Sequence, residues 1–227
     1  MKNFLIAMVS IACFSFISCS KTASSGEANI RFVNLAPNSS NLDFNATGSL
    51  LVGGVSYGAA SLYRPISASN PAFTINATGA TQTLFSGNLA LQTGIHYSFF
   101  VYDSVTNMKV SLVIDDQAAP PSGKANVRFL NFYKGAVSVD IKKDGTTNLF
   151  TARTTNDHSV DAAYSKYIAV DPGTFNVSAV VAGSSVVLFQ LPGFAPVAGK
   201  SYTLILRGFS AVSTGAQAIA LVPVTDK

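Results

Sequence analysis

The chain has 227 residues, with 15 Lys and Arg against 11 Asp and Glu for a formal net charge of +4. Its 48% apolar content excludes a disordered chain. Its 11% charged content, under half the usual ~25%, excludes a helical bundle or coiled coil built on Ala, Glu, Lys and Leu. The 17 glycines have no collagen period, two cysteines cannot make a disulfide framework, and the scattered basic residues form no stripe for nucleic acid. An all-β protein with many turns remains.

The first segment reads as a targeting signal. Lys2 supplies a positive start, and Phe4 to Ile17 is apolar apart from Ser10 and Ser15. A membrane span needs ~20 apolar residues, so this run is short for one. It ends Phe16-Ile17-Ser18-Cys19, which resembles the lipobox of bacterial lipoproteins. Ser18 fits that pattern, whereas Phe16 and Ile17 stand where a Leu and a small residue are usual. The resemblance implies cleavage after residue 18 and a lipidated Cys19, binding the protein to the membrane. Cys13 would leave with the signal, so Cys19 would have no disulfide partner. The polar stretch from Ser20 to Gly26 reads as part of a tether over residues 19–27.

The remainder repeats itself. Ala28-Asn29-Ile30-Arg31-Phe32-Val33-Asn34-Leu35 matches Ala125-Asn126-Val127-Arg128-Phe129-Leu130-Asn131-Phe132, 97 residues on. Asp43 and Gly48 match Asp140 and Gly145 at the same shift. Phe73 to Ala77 then matches Phe175 to Ala179, and Gly94-Ile95-His96-Tyr97 matches Gly199-Lys200-Ser201-Tyr202. Residues 28–118 and 125–227 are therefore expected to be two copies of one domain, joined by a Pro-Pro linker over residues 119–124.

Each copy reads as strands. Phe73, Ile75 and Ala77 alternate with polar residues, as do Phe175, Val177 and Ala179. Tyr97 to Tyr102 and Tyr202 to Arg207 read as more deeply buried strands. Turn residues recur at short intervals, giving about seven strands per copy, the number of an immunoglobulin-like sandwich. Gly-x-x-Tyr before a buried strand, at Gly94 and Gly199, resembles the tyrosine corner of Greek-key sandwiches. The expected fold is two tandem immunoglobulin-like Greek-key β-sandwiches.

Together, the opening Ala-x-Ile/Val-Arg-Phe strand, the Asp before a Gly turn and the Gly-x-x-Tyr motif resemble the bacterial domain-of-unknown-function 4397 (DUF4397) family, from about Ala28 to Val224. Tyr167 before the Asp171-Pro172-Gly173 turn adds to the likeness. Many members carry a His after the first strand; Asn34 and Asn131 stand there instead. The resemblance implies an exported, often lipid-anchored β domain with no assigned activity.

Chemical motifs are sparse. Gly54-Val55-Ser56-Tyr57-Gly58 satisfies the nucleophile-elbow pattern, but no helix can follow through Ala59 to Pro65 and the second copy has no equivalent. Gly193 to Ser201 imitates a phosphate loop with one residue too many between its glycines. His96 and His158 lie in different copies, and no His or Cys pair has metal-ligand spacing. Asp115-Asp116 reads as a solvated pair at a strand end. Asn38, Asn45, Asn76 and Asn176 head sequons of compositional origin, and Asp103-Ser104-Val105 resembles an O-glycosylation motif of some Bacteroidetes, making Ser104 a candidate.

No catalytic residue, cofactor or metal site is expected. The leading reading is a non-catalytic outer-membrane lipoprotein presenting two sandwiches for structural or protein-binding roles. A glycan-binding or adhesin module is the alternative, with Tyr57, Tyr63, Tyr133 and Tyr164 as candidate platform residues; a serine hydrolase using Ser56 is a remote third. If Cys19 is the anchor, Cys19→Ser should move the protein from the membrane fraction to the soluble fraction, as read by immunoblot of fractionated cells. Pelleting of the variant with membranes would dismiss the anchor.

Overall fold

The computed structural model describes residues 26–209 and 214–227. Cys19 and the signal segment lie outside the described residues. The first copy contains β1 (Glu27–Leu35), β2 (Leu42–Ala46), β3 (Ser49–Val55), β4 (Arg64–Ser67), β5 (Ala72–Ala77), β6 (Thr83–Asn88), β7 (His96–Tyr102) and β8 (Lys109–Ile114). The second contains β9 (Ala125–Asn131), β10 (Val139–Lys143), β11 (Thr147–Arg153), β12 (Ile168–Val170), β13 (Phe175–Val181), β14 (Val187–Phe194), β15 (Ser201–Arg207) and β16 (Ala220–Thr225). Among the described residues the helical elements are four 3-10 turns, and no helix is long and apolar enough to cross a membrane.

The protein is all-β, with two sandwich-like domains. Four-stranded sheets ordered β4-β1-β7-β8 and β3-β2-β5-β6 enclose the first core; β12-β9-β15-β16 and β11-β10-β13-β14 enclose the second. Among the described residues each copy has eight strands rather than about seven. The short strands β4 and β12 have four and three residues, too few to show period-two alternation, and Pro65 in β4 reads locally as a turn. In each copy the first strand runs parallel to the seventh, β1 beside β7 and β9 beside β15. This long-range pairing is invisible to local pattern.

Aromatic residues fill the first core. Phe32 stacks on Phe44 at 5.4 Å, and Phe99 meets Phe44 at 5.1 Å and Phe73 at 4.9 Å. Each such ring buries a large apolar area, the main stabilising term in a small domain without disulfides. The repeated tyrosines each bond back to backbone five residues upstream: the Gln92 amide donates to the Tyr97 hydroxyl at 3.0 Å, and the Val197 amide to the Tyr202 hydroxyl at 3.1 Å.

The repeated Asp has a structural task. Asp43 accepts from the Gly54 amide and the Thr78 hydroxyl, both at 2.8 Å, tying β2 to a bulge in β3 and to the turn after β5. Asp140 accepts from the Ala152 amide at 2.8 Å at the matching bulge in β11. Gly54 and Ala152 both have positive φ, +71° and +50°, a backbone that suits glycine better than alanine. For Asp43, burial raises the carboxyl's pKa, but the bonds from Gly54, Thr78 and Gly79 outweigh it and hold the group below its usual range.

Candidate functional site

Strands β1 and β9 are buried on both faces. Ile30 and Phe32 point into the first core, whereas Val33 and Leu35 join a separate apolar cluster with Phe100, Val113, Leu130, Phe132 and Ile205. That cluster draws on β1, β7 and β8 of one copy and β9 and β15 of the other, so the two domains meet outer face to outer face. Period-two alternation places Arg31 and Arg128 on those meeting faces, 2% and 0% exposed.

The arginines are satisfied across the junction. Arg31 pairs with Asp226 of the second copy, and Arg128 with Asp115 of the first. Each arginine also uses a hydroxyl of its own copy: Arg31 Nε donates to Ser98 Oγ at 2.6 Å, and Arg128 Nε to Thr203 Oγ1 at 2.7 Å. Those hydroxyls pass the bond on, Ser98 to Asp115 and Thr203 to Asp226, both at 2.7 Å. The Tyr63 and Tyr167 hydroxyls complete the two carboxylates at 2.7 Å each, and their rings lie under Arg31 and Arg128 at 5.2 and 4.8 Å. The third nitrogen of each guanidinium reaches a backbone oxygen, Arg31 to Thr225 and Arg128 to Ile114. Every group in one half has a counterpart in the other, so the arrangement is pseudo-twofold.

An unpaired buried guanidinium or carboxylate would be prohibitive, and only this density of bonds offsets the desolvation. Burial alone would lower the pKa of both arginines; the facing carboxylates, Asp226 then Asp115 for Arg31 and Asp115 foremost for Arg128, more than compensate and keep both firmly charged. Tyr63 and Tyr167 are pushed well above the usual phenol range, chiefly by burial, so they remain donors.

Further bonds cross the junction without a counterpart. Lys134 reaches Asp103 at 3.0 Å, His158 Nε2 meets Ser111 Oγ at 2.9 Å, and Arg207 lies over the Tyr57 ring at 4.1 Å. His158 is held neutral, its pKa lowered to about 4, first by burial and then by Arg153 and Arg128 against the opposing pull of Asp157. Its ring also packs edge-on to Phe132 at 5.1 Å.

The candidates read from sequence fall mostly into this junction or into turns. Asp115 is 2% exposed and bonded as above, so Asp115-Asp116 is not a solvated pair; only Asp116 faces solvent. Sequence reading missed this because the partner, Arg128, is on another sheet. Ser56 follows β3 and leads into a turn, not a helix, with neighbouring Tyr57 under Arg207. Gly193 is the penultimate residue of β14, and Gly199 lies in the turn before β15, so the phosphate-loop imitation is a strand connection. The four tyrosines do not form a row: Tyr63 is in the charge network, Tyr133 is buried, Tyr57 is under Arg207, and only Tyr164 is exposed, with Arg153 over its ring. Ser104 starts a 3-10 turn beside the buried Asp103, whose carboxylate accepts from Lys134 and from the Asn107 side chain. Among the described residues no group of three or more His, Cys, Asp or Glu is placed to hold a metal ion.

The junction's two arginines stand at the same place in the opening strand of each repeat, and a family model, Domain of unknown function (DUF4397), matches residues 28–142. The chain belongs to the DUF4397 family. The match covers the first copy and runs through β9 into β10, so it includes both arginines of the network. No curated protein matches this DUF4397 chain. Among solved structures it is similar to a "putative cell adhesion protein" from Bacteroides eggerthii, 10% identical over 89% of this chain and 95% of that one, with a TM-score of 0.22. At that score the likeness bears on neither fold nor function.

Removing one partner of a buried pair should cost far more than removing both. Arg31→Ala is expected to lose about 3–5 kcal/mol, with the double variant Arg31→Met, Asp226→Leu recovering most of it, as read by urea denaturation. His158 gives a separate expectation. Between pH 6.5 and about 4 the unfolded imidazole takes a proton that the folded one refuses, so stability falls as pH drops through that window and levels below it. His158→Gln should remove up to about 3 kcal/mol of that decline, as measured by denaturation at pH 7, 5.5 and 4.

Proposed function

We propose that the chain is a non-catalytic lipoprotein of the bacterial outer membrane, held by lipid on Cys19, in which two sandwiches joined face to face act as one contact module for envelope proteins. The observation that carries this reading is the junction itself. The Arg, Asp, Tyr and hydroxyl side chains that could do chemistry are bonded to one another across two domains, every guanidinium nitrogen having a partner. Such an arrangement joins domains; it does not present a nucleophile, a base or an open metal position. Ser56 has no place in it. The anchor rests on the Phe4 to Cys19 segment and the single cysteine that would remain after cleavage.

Glycan recognition, the adhesin reading, would need aromatic faces open to stack on a sugar. Three of the four candidate tyrosines are covered, and protein contact is preferred for that reason. Photo-crosslinking in intact cells from the exposed positions Val160 and Val197, 89% and 57% exposed, should give discrete protein adducts. Binding of the purified full chain to a glycan array with no protein adducts from cells would replace this reading with the adhesin one.

A further inference from the structure

The four sheets have eight edge strands, and an unguarded edge is a template for pairing with another chain. Seven are guarded. β4 contains Pro65 and β16 contains Pro223; β12 has only three residues; β3, β6, β11 and β14 carry register shifts, with Pro192 in β14 as well. β8 has none of these. It pairs with β7 in unbroken register over six residues and contains neither Pro nor Gly.

The contrast with β16 is specific. Leu112 is the partner of Phe99, and Pro223 is the partner of Leu204, the residue matching Phe99 in the second copy. Leu112 and Pro223 are therefore equivalent positions. Asp115 donates its amide inward to His96, and Ile114 gives its carbonyl outward to Arg128, so the backbone groups of Val110, Leu112 and Ile114 face away from the sheet. In the second copy, proline has removed the outward amide at this position; in the first it is retained.

The retained edge borders a cavity of about 760 Å³, within the range of ordinary binding sites. Leu112 to Gln117 form one wall, and Ala162, Ser165 and Lys166 of the second copy form the other. His96 and His158, the only two histidines in the chain, both line it. Ile114, 54% exposed, offers an apolar side chain at the rim.

We infer that this cleft is a strand-addition site, in which an extended segment of a partner polypeptide pairs with β8. The occupant follows from the chemistry on offer: the outward amides of Val110, Leu112 and Ile114 and the outward carbonyls of Val110 and Leu112, with the Ile114 carbonyl already taken by Arg128, are complemented by the backbone of another extended chain. The second domain's wall would read the partner's side chains on one face. This deepens the protein-contact reading above and rests on it.

The test uses the full chain and a phage-displayed library of short linear peptides. Selected peptides are expected to slow hydrogen exchange at the amides of Leu112 and Ile114. Leu112→Pro, which copies the second repeat, should weaken binding about tenfold, the scale of one lost hydrogen bond plus a distorted edge. Ile114→Lys, which keeps the backbone and adds an edge charge, should weaken it similarly and serves if Leu112→Pro folds poorly. Peptides that bind without protecting these amides, equal binding by both variants, or no selected peptide at all would overturn the site. Protein adducts in cells that persist in the Ile114→Lys variant would then place the contact surface elsewhere and leave the broader reading standing.

Discussion

Two buried ion pairs, crossed between the domains, are the constraint on which the rest of this structure depends. Each copy carries a complete set of groups: an arginine on its first strand, a hydroxyl on the strand beside it, a tyrosine before its short edge strand and an aspartate after its last strand. The close pair of each arginine lies in the other copy: Arg31 bonds Asp226, with its own copy's Asp115 3.8 Å away, and Arg128 bonds Asp115. Because an unpaired buried charge is so costly, the geometry that satisfies both pairs at once excludes nearly all other arrangements of the two sandwiches. The apolar cluster of Val33, Leu35, Phe100, Leu130, Phe132 and Ile205 supplies attraction, but apolar contact is non-directional and would tolerate sliding. The charges set the register.

The junction is pseudo-twofold in its centre and asymmetric at its rim. The central network would serve as well between two identical copies, which is the self-complementary logic of a twofold dimer. The contacts of Lys134 with Asp103, His158 with Ser111 and Arg207 with Tyr57 have no mirror images. They distinguish the first copy from the second. The repeats differ at the rim of the junction and at the edge strands, where β16 contains a proline and β8 does not. The shared core of each sandwich, with its corner tyrosine and its bulge-clamping aspartate, has been kept in both.

Much of the fold was legible because its signals are local. Alternation at Phe73 to Ala77, turn residues at short spacing and the Gly-x-x-Tyr motif all act within a few residues of the structure they specify. The charge network was not legible, although its members were in view. Arg31 and Arg128 stood at the same place in two apolar strands, and a charge repeated in a strand buried on both faces is the signal that could have marked them. Asp115 was read as solvated because a strand end usually is. Its partner lies on a different sheet of a different domain, and no local rule reaches that far.

By itself, then, the amino-acid sequence determined an all-β chain, a duplicated unit and the residues that each unit must keep, since these follow from period-two alternation and from self-similarity. Only the tertiary structure decided which faces meet, which carboxylate belongs to which guanidinium and which edge is left open. Those outcomes depend on desolvation and on pairing between strands far apart in the chain, and both exist only once the two sandwiches have come together.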